Sequence, residues 1–243
     1  MKQLFFEITE NKPLIESVFK MILRGDTDGI LPGQFVNIKL DGMFLRRPIS
    51  VCDATEETLT LLYKVVGKGT ELLSHMQNGK LDILTQLGNG YDLSKSGEKP
   101  LLIGGGVGVP PMYLLAKKLI KSGKSVTVIL GFNTKSEVFY EDEFKELGAD
   151  VFVTTVDGSY GTKGFVTDKI SDIDYTYFYT CGPEPMLKAV YTASKTSGQF
   201  SFEERMGCGF GACMGCSCKT ITGFKRICKD GPVLEKEEIL WES

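Results

Sequence analysis

The chain has 243 residues, 42% hydrophobic and 24% charged, with 28 basic against 31 acidic side chains and a net charge of −3. This is globular composition with room for two compact domains or one large one. It offers no basic field for nucleic acid or for an anionic membrane.

The N-terminal MKQLFFEITENKPLIE turns acidic without an apolar leader core, and no run approaches 18 apolar residues. Neither a leader nor a membrane span is expected, and a cytoplasmic setting is the default. The seven cysteines cannot all be paired, so clustered thiols serving a metal or redox chemistry are expected instead.

Over residues 1–97, KPLIESVFKMILRG, QFVNIKL and TLTLLYKVV alternate apolar and polar positions and are rich in β-branched residues. Breakers at Asp26–Gly29, Pro32–Gly33, Asp41–Gly42 and Gly67–Gly69 separate them. The pattern predicts a small antiparallel barrel interrupted by a short helix over GTELLSHM. That helix carries His75, the lone histidine, for which we expect a surface or packing role. On the barrel, Leu45-Arg46-Arg47-Pro48-Ile49-Ser50-Val51 sets two guanidinium groups before a rigid proline. Such a pair can clamp a diphosphate bidentately. An exposed charged strand edge accounts for the same residues.

The polar segment SKSGEKP (94–100) reads as a domain boundary. Beyond it, residues 98–200 alternate apolar strands with helices, the pattern of a parallel α/β sheet. The turn Ile103-Gly104-Gly105-Gly106-Val107-Gly108 follows a strand and opens a helix, with Pro110 and Pro111 suited to its first turn. It can offer N–H groups and a helix N-terminus to a pyrophosphate, or can serve as a tight turn alone. A second turn, Thr180-Cys181-Gly182-Pro183, also closes a strand and opens a helix. Ligands of open α/β sheets lie at such carboxyl ends.

From Phe200 onward the alternation stops, and four of the seven cysteines fall within residues 208–218. Cys208, Cys213 and Cys216 have the spacing C-x4-C-x2-C, and Cys228 follows after eleven intervening residues. This is the plant-type arrangement for a [2Fe–2S] cluster, with four thiolates converging on two irons. Glycines 207, 209, 211 and 215 allow a tight wrap and bring backbone N–H groups to the sulfur atoms. A zinc knuckle is the alternative, although zinc sites usually present paired C-x2-C halves. Cys218 competes with Cys228 as fourth ligand, at the cost of a crowded C-x-C. Cys52 and Cys181 lie outside the set.

Taken together, the R-x-x-S barrel, the GGGVG and TCGP turns and the tail ERMGCGFGACMGC resemble the ferredoxin reductase superfamily. Within it, the chain most resembles the electron-transfer subunits of class 1B dihydroorotate dehydrogenases, over essentially its whole length. RRPIS and YKVVGKGT support this in the right order. The resemblance implies a ferredoxin-reductase-like fold in three parts: an FAD-binding β barrel over 1–97, a parallel-sheet NAD-binding domain over 98–200 and a small [2Fe–2S] segment over 201–243.

It also implies that Arg47, Pro48, Ile49 and Ser50 contact the flavin and its diphosphate. Leu62, Tyr63 and Lys64 would line the flavin, and Gly69 and Thr70 would hold phosphate. Many relatives carry an aromatic residue where Ile49 stands, so ring stacking from that position is lost. Gly104, Gly105, Gly106 and Gly108 would face the NAD pyrophosphate, with Cys181, Gly182 and Pro183 near the nicotinamide. Only Lys135, in GFNTKSE, is placed to meet the 2′-phosphate of NADP.

The implied partner is an FMN-containing catalytic subunit, in a heterotetramer of two of each, in de novo pyrimidine (UMP) biosynthesis. Electrons would pass from that FMN through the cluster and FAD to NAD⁺. No catalytic acid, base or nucleophile is expected in this chain, because the cofactors carry the chemistry. Glu203 and Arg205 are candidates for a contact near the flavin or the partner, and 205–220 for part of the interface. The rivals are the small flavin–iron–sulfur subunit of an NADH-dependent ferredoxin:NADP oxidoreductase or of a sulfide dehydrogenase, a cluster-based redox sensor, and a zinc-stabilised binding module.

Overall fold

The computed structural model describes residues 1–241. Six strands close the first part into an antiparallel barrel: β1 (Lys2–Ile15), β2 (Val18–Arg24), β3 (Phe35–Ile38), β4 (Arg47–Ala54), β5 (Thr58–Lys64) and β6 (Lys80–Leu87). Their order around the barrel is β1-β2-β5-β4-β3-β6. The segment KPLIESVFKMILRG is a hairpin, with Glu16 and Ser17 turning β1 into β2 and Ile15 paired with Val18. The period-2 pattern buries Phe6, Ile8, Met21, Leu23, Leu59 and Leu61 in the barrel core. The short helix α1 (Lys68–Ser74) leads into β6. His75 ends it on the surface, its Nδ1 2.8 Å from the Glu71 carbonyl.

The second part is a seven-stranded sheet. After β7 (Pro100–Gly105) come α2 (Pro110–Lys121), β8 (Thr127–Phe132), α3 (Glu141–Glu146), β9 (Asp150–Thr155), β10 (Thr162–Lys163), α4 (Thr167–Ile170), β11 (Tyr177–Cys181), α5 (Glu184–Ala193) and β12 (Gly198–Ser201). The order is β10-β9-β8-β7-β11-β12 with every neighbour parallel. The apolar runs of β7 and β11 are buried, as a sheet covered on both faces requires.

Residues 202–216 wind without regular structure into the hairpin β13 (Ser217–Thr220) and β14 (Gly223–Arg226). The chain then returns as β15 (Val233–Glu235), which pairs antiparallel with β12 at the sheet edge. The cysteine segment is thereby stitched into the second sheet. Asn89 adds a further tie, receiving the Val233 N–H on Oδ1 and donating from Nδ2 to the Val233 carbonyl.

Barrel and sheet share one core. Leu62 and Cys52 of the barrel pack with Leu102, Met112 and Leu115. Lys117 of α2 pairs with Asp53 of β4 at 2.7 Å, and Tyr91 Oη donates to the Thr180 carbonyl at 3.2 Å. No helix among the described residues is long and apolar enough to cross a membrane.

Candidate functional site

Three of the expected groups meet around two cavities. The first, about 1020 Å³, is lined by Leu45, Arg46, Arg47 and Pro48 from the barrel, and by Gly182, Pro183 and Glu184 where β11 gives way to α5. Phe202, Glu203, Arg205, Cys218 and Trp241 complete it from the C-terminal segment. The second, about 490 Å³, lies beyond the carboxyl ends of β7, β8 and β9. Its walls include Gly105, Gly106, Gly131, Asn133, Glu137, Thr154 and Met186. Pro183 borders both cavities.

The two glycine turns, far apart in sequence, are packed on each other. A Cβ on Gly108 would stand 2.2 Å from the Cys181 carbonyl oxygen and 2.6 Å from the Gly182 nitrogen. One on Gly105 would stand 2.4 Å from Met186 Sδ, and one on Gly104 2.8 Å from Val109 Cα. Gly106, at φ +52°, has open space where its side chain would be and borders the second cavity. Three of these glycines therefore serve close packing, and Gly106 leaves backbone accessible to a ligand.

Burial pushes the Cys181 thiol up to about 12, so it stays neutral near pH 7 and is no thiolate nucleophile. Glu137, not singled out from the sequence, accepts from the Asn133 backbone N–H at 3.0 Å and its side-chain Nδ2 at 2.9 Å, at the wall of the second cavity. Lys135 turns to the ring of Tyr160, 5.7 Å from its centroid.

On the barrel the two arginines diverge. Arg46 is spent on structure: Nη1 and Nη2 grip Asp82 at 3.0 and 3.1 Å, and Nη1 reaches the Asn37 carbonyl at 3.3 Å. Burial would raise the Asp82 carboxyl, but hydrogen bonds from Arg46 and Gln3 outweigh it and hold it below its ordinary value. Of the two guanidinium groups the sequence offered to a diphosphate, Arg47 alone has no carboxylate partner among the described residues. Arg47 lies on the start of α1, where a Cβ on Gly69 would stand 1.9 Å from its Nε.

The Thr70 hydroxyl is engaged locally, accepting from the Val66 N–H at 3.0 Å and donating to the Gly67 carbonyl at 3.1 Å. Tyr63 is 2% exposed. Its hydroxyl donates to Asn11 Oδ1 at 2.9 Å and its ring stacks on Phe19. The Tyr63 side chain is thereby committed to the barrel core. Leu62 is buried against the second domain, Lys64 is exposed, and Ile49 and Ser50 are half-buried on β4.

The cysteines form two thiol pairs. Cys208 neighbours Cys213, and Cys216 neighbours Cys228. The Ala212 and Cys213 N–H groups donate to Cys208 Sγ at 3.2 and 3.5 Å, and the Cys228 N–H donates to Cys216 Sγ at 3.4 Å. Burial would raise Cys208, but backbone N–H groups of Cys213, Phe210 and Ala212 more than offset it, bringing the thiol down to about 6. Burial and the neighbouring Cys216 push Cys228 up to about 12.

Cys218 lines the first cavity, with Glu204, Cys216 and Lys225 nearby. No three His, Cys, Asp or Glu side chains among the described residues converge on one point as a single metal ion requires. Two neighbouring cysteine pairs, with backbone N–H groups donating to Cys208 and Cys216 Sγ, offer the sulfur ligands and N–H donors that a two-iron group takes.

Residues 203–240 match the model of the iron–sulfur cluster binding domain of dihydroorotate dehydrogenase B, and residues 102–192 that of the oxidoreductase NAD-binding domain. The electron transfer subunit of dihydroorotate dehydrogenase B (NAD(+)) from Geobacillus sp. (strain WCH70) is 44% identical over 256 residues, spanning 99% of each chain. Its counterpart from Fusobacterium nucleatum is 46% identical over 244 residues, spanning 93% of this chain and 94% of its own.

Among solved structures, an NADH-dependent reduced ferredoxin–NADP oxidoreductase studied for flavin-based electron bifurcation superposes with a TM-score of 0.88. It is 32% identical and the match covers 97% of this chain and 90% of that one. A ferredoxin NADP⁺ reductase from Neisseria gonorrhoeae with bound FAD and NADP shares the fold at a TM-score of 0.69 and 17% identity, over 79% of this chain and 90% of its own. The fold class expected from the sequence is thus the observed one, a closed barrel and a parallel-sheet domain of the FAD/NAD oxidoreductase type with an iron–sulfur binding region near the C-terminus, and the chain belongs to the family of dihydroorotate dehydrogenase B (NAD(+)) electron transfer subunits.

Proposed function

We propose that this chain links dihydroorotate oxidation, carried out on FMN in a catalytic partner subunit, to reduction of NAD⁺. When bound, a [2Fe–2S] cluster, FAD and NAD supply the one-electron and hydride chemistry that amino-acid side chains lack. The chain's own residues bind, orient and screen these groups.

Cys208 and Cys213 would hold one iron, and Cys216 and Cys228 the other. Arg47 would meet the FAD diphosphate, with Gly69 and the backbone of Thr70 beside it. The β4 stretch Pro48-Ile49-Ser50 and the β5 stretch Leu62-Tyr63-Lys64 would border the flavin, position 63 through its backbone. Gly104 to Gly108 would form the floor for the NAD pyrophosphate, chiefly through Gly106, with Cys181, Gly182 and Pro183 screening the nicotinamide. The observation that carries this reading is continuity. The cavity holding Arg47 and Pro48 also holds Gly182 and Pro183, and it runs to Glu203 and Arg205 on the segment that enters the cysteine loop.

In the cell the partner would be the dihydroorotate-oxidising subunit, in an assembly of two copies of each. The segment 205–220 would contribute to the contact; on it Phe210 and Met214 stand exposed. The high structural likeness to an NADH-dependent ferredoxin–NADP oxidoreductase favours one second reading, the same wiring with a ferredoxin-type donor. Anaerobic purification decides the cofactor part. The reading expects two irons, two sulfides and one FAD per chain, with both chromophores bleached by NADH. A colourless chain containing zinc would overturn it.

A further inference from the structure

Asn37 stands on β3 among Phe35, Val36 and Ile38, and is 1% exposed. Its Nδ2 donates to the Cys208 carbonyl at 3.2 Å. Among the described residues this is the only hydrogen bond between the barrel strands and the loop 203–216. The other end of the amide, Oδ1, is buried and has no partner. A buried amide with an unfilled acceptor costs roughly 1–3 kcal/mol, so an aliphatic residue would serve the strand better if packing were its only task.

The surroundings are built around this contact. In register, Asn37 faces Pro48 of the Arg47–Ser50 motif on β4 and Leu84 on β6. Its carbonyl is held by Arg46, itself anchored on Asp82. On the loop side, Gly209 has φ +79°, and a Cβ there would stand 2.3 Å from Asn37 Nδ2. Because the peptide is planar and trans, fixing the Cys208 carbonyl toward the barrel turns the Gly209 N–H away from it. One side chain therefore sets the orientation of the peptide that follows the first cysteine of the loop.

We infer that Asn37 is a positioning residue that locks the cysteine loop to the flavin-motif strands and so fixes the setting of the Cys208–Cys213 iron relative to the flavin. The inference rests on the cluster and FAD reading above. The amide of Asn37 stays unchanged in the reaction. It holds a backbone orientation, and through it the donor–acceptor geometry on which the rate of electron transfer depends.

The test compares wild type with Asn37→Leu, which fills the space without a donor, in the anaerobic complex with its partner. Three quantities are read: iron and FAD content, the electron paramagnetic resonance spectrum of the reduced cluster, and the rates at which NADH reduces flavin and then cluster. We expect full FAD, an altered cluster spectrum, and cluster reduction slowed several-fold while flavin reduction keeps its wild-type rate. Loss of iron with FAD retained supports the inference equally, because it means the loop has been released.

An unchanged spectrum and unchanged cluster reduction would overturn it. Should Asn37→Leu fail to fold, Asn37→Ser, whose hydroxyl is too short to reach Cys208, is read the same way. Loss of both cofactors in both variants would assign Asn37 to barrel folding and also overturn it. A wild-type complex without iron would defeat the cluster reading itself, an outcome separate from any effect of the substitutions.

Discussion

Gly108→Ala tests whether the two glycine turns act as one nucleotide floor. In isolation the change should help, since alanine restricts the unfolded chain and favours helix at the entrance to α2 by up to about 1 kcal/mol. The native environment reverses the sign. The added Cβ would lie 2.2 Å from the Cys181 carbonyl oxygen and 2.6 Å from the Gly182 nitrogen, and both are backbone atoms that no rotamer change can move. Reaching ordinary contact at 3.4 Å requires the turns to part by more than an ångström. Overpacking of this kind costs about 1–3 kcal/mol, and a displacement of about 1 Å beside reacting groups lowers rate by up to about 100-fold. We therefore expect a Tm several degrees lower, normal FAD and iron content, and kcat/KM for NAD⁺ down about 10- to 100-fold. Unchanged Tm together with unchanged kcat/KM for NAD⁺ would show that the turns do not need this contact.

Further expectations concern charge and ligand choice. Glu137→Gln removes a carboxylate from the wall of the second cavity while keeping an acceptor for Asn133; kcat/KM for NADP⁺ should rise about tenfold, and an unchanged NAD⁺/NADP⁺ ratio would remove Glu137 from cofactor selection. Cys228→Ser should abolish the visible and paramagnetic signature of the cluster, whereas Cys218→Ser should keep it, as read by iron content; the opposite pattern would exchange their roles. The Asp82 carboxyl is depressed in the folded state, so its contribution to stability is complete above the ordinary value of 3.8 and fades as pH falls through the lower folded value. Asp82→Asn should flatten that acid limb in unfolding measurements from pH 5 to about pH 2, and parallel profiles for both proteins would disprove the assignment.

Much of this was legible in the sequence because it is written in local pattern. Alternation marked the barrel strands, continuous apolar runs marked the buried parallel strands, and the cysteine spacing marked the two-iron loop. Tertiary partnership was not legible. Arg46 and Arg47 are chemically identical neighbours, and only the approach of Asp82, 36 positions away, consigns one of them to structure. Tyr63 sits in a stretch that alternates as a flavin-lining strand should, yet its side chain belongs to the barrel core through Asn11. β15 is three residues long and follows the cysteine tail, so nothing local declares that it completes the second sheet. Asn37 did leave a signal, the lone polar residue in an otherwise apolar FVNI, and Glu137 left the weaker one of a carboxylate just beyond the second parallel strand.

The most direct test of the central claim uses the chain in complex with its catalytic partner, without air, with dihydroorotate as the sole donor and NAD⁺ as acceptor. The account predicts one NADH formed per orotate, activity lost on removal of this chain, and activity lost again in Cys228→Ser with orotate formation by the partner still measurable with an artificial acceptor. NAD⁺ reduction that persists without this chain, or none at all when FAD and cluster are fully loaded, would contradict it.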